Sequence, residues 1–149
     1  MQTLQQRLEK VNLLSKSNLL DAAFNFLRTI EDEIVRLNRQ QLNEDSEDTF
    51  GKPIGFYSAS TEFITGGVKK RGEPFDMKDT GDFLNSIYAN VSKNQITFIS
   101  LDSKAEILYQ SDHFLSNDFL GLSDKNLKAV VRNELLPFMI TFILKVLSQ

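Results

Sequence analysis

Apolar residues recur at three- and four-residue steps near the start of the chain. Leu4, Leu8, Val11 and Leu14 predict a short amphipathic helix over residues 3–14. Isolated helices of that length are marginal in water, so this one must pack on its own domain or on a neighbour. Ser15 to Asn18 breaks the pattern, and Ser17 or Asn18 is placed to cap the next helix, with Asp21 in its first turn. Leu20, Phe24, Leu27, Ile30, Ile34 and Leu37 then form a single stripe. It predicts one long surface helix laid on a sheet, with Asp32 and Arg36 paired one turn apart. Phe26 and Val35 lie off the stripe and are available to a neighbour.

The helical period ends at Glu44-Asp45-Ser46-Glu47-Asp48. Residues 43–79 read as one long loop, broken by Gly51-Lys52-Pro53 and Gly66-Gly67, with Phe56-Tyr57 and Phe63-Ile64 as apolar anchors. Period-two alternation comes next. Ile87, Ala89 and Val91 mark a first strand, Lys93-Asn94 a hairpin turn, residues 95–101 a second strand, and residues 105–109 a third. Residues 54–57 offer a further one. Leu122-Ser123-Asp124 starts a helix with Ser123 as N-cap and Leu122 and Leu127 as a staple. Leu127, Val130, Val131 and Leu135 form its buried stripe, and Pro137 kinks or restarts it. Residues 138–147 are apolar nearly all round, which suits either an internal core or a subunit interface built on Phe138, Phe142 and Ile143. The whole reads as one α+β domain over 1–149. An antiparallel meander of three to four strands packs with a long N-terminal helix and a C-terminal helix, and residues 1–16 are free to contact a neighbour.

Composition narrows the chemistry. A hydrophobic fraction of 41% in 149 residues supports a real core. A net charge of −3 argues against general affinity for a nucleic acid backbone. Without cysteine there is no disulfide framework and no thiolate chemistry. The N-terminal residues lack a secretory h-region, and no apolar run reaches the length of a membrane span. The acidic run has a calcium-loop flavour, but Gly51 is offset and the distal Glu is missing, so a solvated acidic turn is expected. His113 is the lone histidine and reads as a structural or contact residue rather than a catalytic one. Gly66 to Gly72 carries Lys69, Lys70 and Arg71. A solvated loop tip is expected there, and contact with an acidic subunit or with DNA is the alternative. No metal, cofactor or small-molecule substrate is expected.

The stretch Met77-Lys78-Asp79-Thr80-Gly81-Asp82-Phe83-Leu84-Asn85-Ser86-Ile87 stands between the loop and the strands. Thr80-Gly81 is a turn signal, and Gly81 is expected at positive φ. It is preceded by Asp45 to Pro53, Phe56-Tyr57, Thr61 and Lys69-Lys70-Arg71, and followed by Phe119-Leu120-Gly121-Leu122-Ser123-Asp124. In that order, over about residues 38–135, these pieces resemble the phage virion morphogenesis and tail completion family. The family's small proteins are structural parts of tailed bacteriophages. Asp82-Phe83-Leu84 stands where the family often has Leu-Arg, and the terminal helices have no counterpart.

The resemblance implies a non-enzymatic virion protein, assembled in a bacterial host cytoplasm. It implies a homo-oligomeric ring at the tail end or neck, in contact with other neck, tail or portal proteins and requiring no cofactor. Asp79, Thr80, Gly81, Ser86, Gly121 and Ser123 are then expected to be structural. The alternatives are a head-tail adaptor on the portal, with Lys69, Lys70 and Arg71 near DNA, and a host-side binding or immunity module. An enzyme built on His113 ranks last.

Overall fold

A computed structural model gives the fold and describes residues 3–110 and 114–149. Helices α1 (Leu4–Leu13), α2 (Lys16–Thr29) and α3 (Glu31–Gln40) run in succession, and α3 passes into a π-helical turn at Gln41–Asp45. The loop carries a short helix, α4 (Ala59–Ile64). After α5 (Asp82–Asn85) come β1 (Ile87–Val91), β2 (Ile96–Ser100) and α6 (Lys104–Tyr109). Helix α7 (Asp124–Val130), a π turn (Val131–Leu135) and α8 (Leu136–Ser148) close the chain.

The fold is α+β, but the meander of three to four strands is replaced by a two-stranded antiparallel hairpin. Its register pairs Ile87 with Ser100 and Val91 with Ile96. The expected third strand is α6. Asp102 Oδ1 accepts the Lys104 N–H at 2.8 Å, and this local bond turns the chain into a helix that buries Ala105 and half-buries Leu108. Alternation over so few residues does not separate the two periods. Residues 54–57 are extended but make only an isolated bridge, Phe56 to Pro74.

The single long helix is also two. Ile30, at φ −116° and ψ 22°, is at once the C-cap of α2 and the N-cap of α3, while Thr29 Oγ1 donates to Phe26 O at 2.7 Å. Glu31, Asp32 and Glu33 then occupy the first turn of α3, where carboxylates suit the helix dipole. Arg36 pairs with Glu33 at 2.7 Å rather than with Asp32.

Helix α3 lies on β1, as a surface helix on a sheet should. Ile34 and Val35 meet the buried side of β1 (Ile87, Ala89, Val91), and Leu42, Ile54, Phe83, Leu84, Phe119 and Val130 complete the core. Val35 is therefore core and not a spare contact. The other edge of β1 is blocked by side chains. Arg28 Nε donates to Val91 O at 3.2 Å, the Val91 N–H donates to Glu31 Oε1 at 2.9 Å, and an Arg39 N–H donates to Ile87 O at 2.8 Å. These bonds occupy three backbone groups of that edge and so interrupt the template it offers to another chain.

Of the loop's expected anchors, Phe63 and Ile64 face solvent, and Phe56 is half exposed. Tyr57, also expected, does anchor the loop, packing edge to face on Phe75 at 4.9 Å. Leu127 is exposed, and its expected place beside Val130 is taken by buried Asn126. Pro137 follows the π turn without a break in the helix, since Leu135 and Leu136 both keep α-helical angles.

Candidate functional site

Three features of the surface and interior gather the residues singled out by the sequence. The first is a cleft of about 280 Å³. Its walls are Phe75, Met77, Phe83, Leu108 and Phe114, and its rim includes Lys78, Asp79, Thr80, Gly81 and Lys104. Gly81 has φ +93°, the positive value expected for the turn, and so places α5 beneath the rim. Thr80 Oγ1 donates to Asp82 Oδ2 at 2.5 Å, closing the turn on itself. Asp79 lies 3.7 Å from Lys104, an exposed pair of small energetic weight. Ser86 stands at the other end of α5. Its hydroxyl donates to Phe83 O at 2.7 Å and lies 2.6 Å from Ser100 Oγ, which ties α5 to the hairpin.

At the side of the cleft, Tyr57, Lys69 and Asp76 form one network. Tyr57 Oη donates to Asp76 Oδ1 at 2.5 Å, and Lys69 Nζ lies 3.3 Å from the same oxygen. Lys69 also sits 5.0 Å above the Tyr57 ring and donates to Lys78 O. The Lys78 N–H adds a bond to Asp76 Oδ1 at 2.9 Å. Burial and the bond to Asp76 push the Tyr57 phenol up. Burial works against the Lys69 ammonium, but Tyr57 and Asp76 outweigh it and hold Lys69 above the ordinary lysine range. Burial likewise opposes the Asp76 carboxylate, and the bonds from Tyr57, Lys78 and Lys69 overcome it and hold its pKa down. Each shift moves the pKa further from pH 7, whereas a general acid or base gains from a pKa near it. The network pins the loop.

Lys69 is thereby drawn out of the basic trio. Lys70 and Arg71 remain exposed at the loop surface. His113 lies outside the described residues.

The second feature is buried. Phe119 has no solvent exposure and packs against Phe83 at 5.9 Å, Tyr109 at 4.9 Å and Phe114 at 6.2 Å between ring centroids. Beside it, polar side chains of α3 and the adjoining π turn bind the backbone of the 119–123 segment. Asn38 Nδ2 donates to Phe119 O at 3.1 Å and to Gly121 O at 2.7 Å. Gln41 Nε2 donates to Asp48 O at 3.0 Å and to Gly121 O at 3.1 Å. Its Oε1 accepts from the Ser123 N–H at 2.8 Å and from Asn126 Nδ2 at 2.9 Å. Asp48, itself buried, accepts the Phe50 and Lys52 N–H groups at 2.9 and 2.8 Å. The acidic stretch is thus a folded turn, only partly solvated.

Gly121 is at a crowded point, where a Cβ would stand 2.9 Å from Thr49 Cγ2. Ser123 occupies the N-cap position of α7, but its hydroxyl is buried and unpaired among the described residues, so the cap is made by Gln41 through the backbone. Sequence patterning does not group Asn38, Gln41, Asp48 and Asn126 as a unit. Their one visible signal is that Asn38 and Gln41 continue the helical spacing of Ile34 and therefore fall on the buried side.

The third feature is a pair of helices. Phe138 stacks on Phe26 at 4.3 Å, and Phe138, Phe142 and Ile143 are half-buried. The side of α8 that faces solvent is a different stripe, Leu136, Ile140, Leu144 and Leu147. Helix α1 touches α8 through Lys10 Nζ, which donates to Leu147 O at 3.2 Å. The stripe of α1, Leu4, Leu8 and Val11, faces solvent too.

Among the described residues no group of His, Cys, Asp and Glu converges as a metal site, and no helix is long and apolar enough to cross a membrane. No family model, curated protein or solved structure matches this chain.

Proposed function

We propose that this chain is a non-enzymatic structural subunit of a tailed-phage virion, a tail completion or neck component that acts in a ring at the head-tail junction. Its partners in this reading are copies of itself and neighbouring neck, tail or portal proteins. The reading starts from the order of motifs along the chain. The observation that carries it further is that these motifs are neighbours in space. Asp45 to Pro53 meets Phe119 to Asp124 where the Thr49 side chain lies beside Gly121 and where Gln41 binds both stretches, and the Thr49 N–H donates to Asp118 O, one residue before the second stretch, at 2.8 Å. Met77 to Ile87 meets the same point through Phe83 on Phe119. The resemblance therefore covers a connected folding unit, and the roles of Gly81, Ser86 and Gly121 within it are conformational. The shifts at Tyr57, Lys69 and Asp76, which run away from pH 7, also favour a scaffold over acid-base chemistry.

An early stop codon in the gene, followed by negative-stain microscopy of the phage lysate, tests the reading. Unjoined heads and tails, or tails of abnormal length, are expected. Normal infectious particles would refute it.

A second reading, an adaptor seated on the portal, draws on the exposure of Lys70 and Arg71 at a loop whose base is fixed by Lys69 and Asp76. DNA-free heads beside normal free tails would select it, and charge reversal at Lys70 and Arg71 would then impair DNA retention.

A further inference from the structure

The geometry points to the outer edge of β2 as a pairing surface for β2 of a second copy, which joins two hairpins into one antiparallel four-stranded sheet. The inference goes beyond the virion reading and does not rest on it. The Leu101 N–H donates to Ser86 O at 3.2 Å and the Ser92 N–H to Gln95 O at 2.9 Å, one residue beyond each end of the hairpin register. Antiparallel bonding alternates along a strand. Thr97 and Ile99 therefore bond inward to Asn90 and Tyr88, and the N–H and C=O groups of Ile96, Phe98 and Ser100 point outward. No backbone group of another described residue pairs with those outward groups.

The two edges of the hairpin differ. On β1, Arg28, Glu31 and Arg39 take up outward groups of Ile87 and Val91. On β2, residues 95–101 hold no charge and no proline, the residues that usually keep an open edge from pairing. Two strands alone are marginal in water, and further strands stabilise them. Main-chain donors and acceptors that repeat about every 7 Å along one line are complementary to an extended backbone.

The strand that meets this requirement best is β2 itself. In a two-fold pair centred on Phe98, Phe98 bonds Phe98 of the second copy and Ile96 bonds Ser100 at either end, so every outward group finds a partner. On the solvent side Thr97 then faces Ile99 of the second copy. Aromatic and β-branched pairs of this kind stabilise a sheet. The same pairing brings the Lys93 turn of each copy to the Asp102 end of the other, so opposite charges meet at both ends. A groove lined by Ile96, Phe98, Leu120, Leu122 and Leu127 runs beside β2 and offers apolar cover to the core-side residues of the added strand. Because Arg28, Glu31 and Arg39 interrupt the edge of β1, head-to-tail growth is disfavoured, and the sheet closes at four strands instead of extending into a fibre.

The test uses the purified full chain from about 20 to 500 μM, a range that spans weak association. In sedimentation equilibrium the mass should rise toward twice the 17.0 kDa of one chain. Amide exchange by nuclear magnetic resonance should slow at Ile96, Phe98 and Ser100 by at least about 3-fold across that range. Thr97→Lys with Ile99→Lys sets like charges opposite each other across the pair. It should weaken association by at least about 10-fold and leave the circular dichroism spectrum unchanged. Thr97→Lys with Ile99→Glu sets opposite charges there and should associate like wild type. Thr97 is exposed and Ile99 half-buried on the solvent side, so neither variant disturbs the core. Phe63→Lys, an exposed site on α4, should change nothing.

A monomer at every concentration overturns the proposal and leaves the edge to a strand of another protein. Association without slowed exchange at Ile96, Phe98 and Ser100 also overturns it, as does a folded two-lysine variant that associates like wild type. If the two-lysine variant fails to fold, the exchange measurement on wild type decides by itself. A normal phage phenotype in the stop-codon experiment, with this pairing intact, would remove the virion role and leave the β2 interface standing.

Discussion

Replacing Gln41 removes the acceptor and donor that hold two distant stretches together. Its side chain is wholly buried and makes bonds of 2.8 Å to the Ser123 N–H, 2.9 Å to Asn126 Nδ2 and 3.0 Å to Asp48 O. Gly121 O keeps Asn38 as a partner at 2.7 Å and Asp48 O keeps the Gly51 N–H at 3.0 Å, so Gln41→Ala orphans the Ser123 N–H and Asn126 Nδ2. Each of the two buried orphans costs about 1–3 kcal/mol, and water entering the vacated space recovers part of it, which leaves about 3 kcal/mol. That is a large share of the roughly 5–15 kcal/mol by which a domain is stable. Urea unfolding followed by circular dichroism should show the midpoint falling by about 1.5 M, for a slope near 2 kcal/mol per M.

Gln41→Met separates the causes. It fills the volume but pairs nothing, and should still lose at least about 2 kcal/mol. A third variant adds a sign. In Gln41→Glu the carboxylate faces the Asp48 and Gly121 carbonyl oxygens, so the folded state favours its neutral form and raises its pKa. Stability is then present at low pH and lost as pH rises through the folded pKa. A Gln41→Met protein within about 0.5 kcal/mol of wild type would refute the claim that this network joins the motifs.

Other expectations rest on the same geometry. Gly121→Ala drives a Cβ to 2.9 Å from Thr49 Cγ2 and should cost about 2 kcal/mol. Thr49→Ser removes that methyl and should restore part of the loss in a double-mutant cycle by urea denaturation, whereas strict additivity would count against the clash. Ser123→Ala should stay within about 0.5 kcal/mol by thermal melting, although Ser123 stands at an N-cap, because its hydroxyl bonds nothing among the described residues; a loss near 1 kcal/mol would mean that the side chain does cap α7. Asp76 has a lowered pKa, so its contribution is present above the ordinary carboxylate pKa of about 3.9 and fades as pH falls below it. Lys69 and Tyr57 have raised pKa values, so theirs is present below about pH 10 and is lost as pH rises through the folded values. Proteolysis within residues 58–76 should therefore be slowest between those limits, and Lys69→Met should flatten the alkaline side. All three groups are partly exposed, so the effect stays below about 1 kcal/mol.

Elements with a local signal are legible in the sequence. Helices α1 and α7, the β1–β2 hairpin with its turn, the positive φ of Gly81 and the helix-on-sheet role of Ile34 all come from spacing and turn chemistry. Each needs only a few neighbouring residues to decide it. Long-range packing settles the others. Residues 105–109 alternate like a strand yet form α6, because an Asp102 side-chain bond and the burial of Ala105 outweigh a weak preference. The apolar stripe from Leu20 to Leu37 does not reveal its break at Ile30, since two helices in nearly the same phase write the same pattern as one.

The orientation of α8 is equally out of reach of periodicity. A helix apolar all round gives no sign of which side meets α2, and only the stacking of Phe138 on Phe26 shows that the Leu136, Ile140, Leu144 and Leu147 side is left to solvent. Lys69 reads as a loop charge until Asp76 and Tyr57 are seen beside it. Gln41 reads as one polar residue among several until Asp48, Ser123 and Asn126 converge on it. Periodicity reports which residues prefer to leave water; which partner each one meets is set by contacts between residues far apart in sequence, and these exist only once the chain has closed on itself.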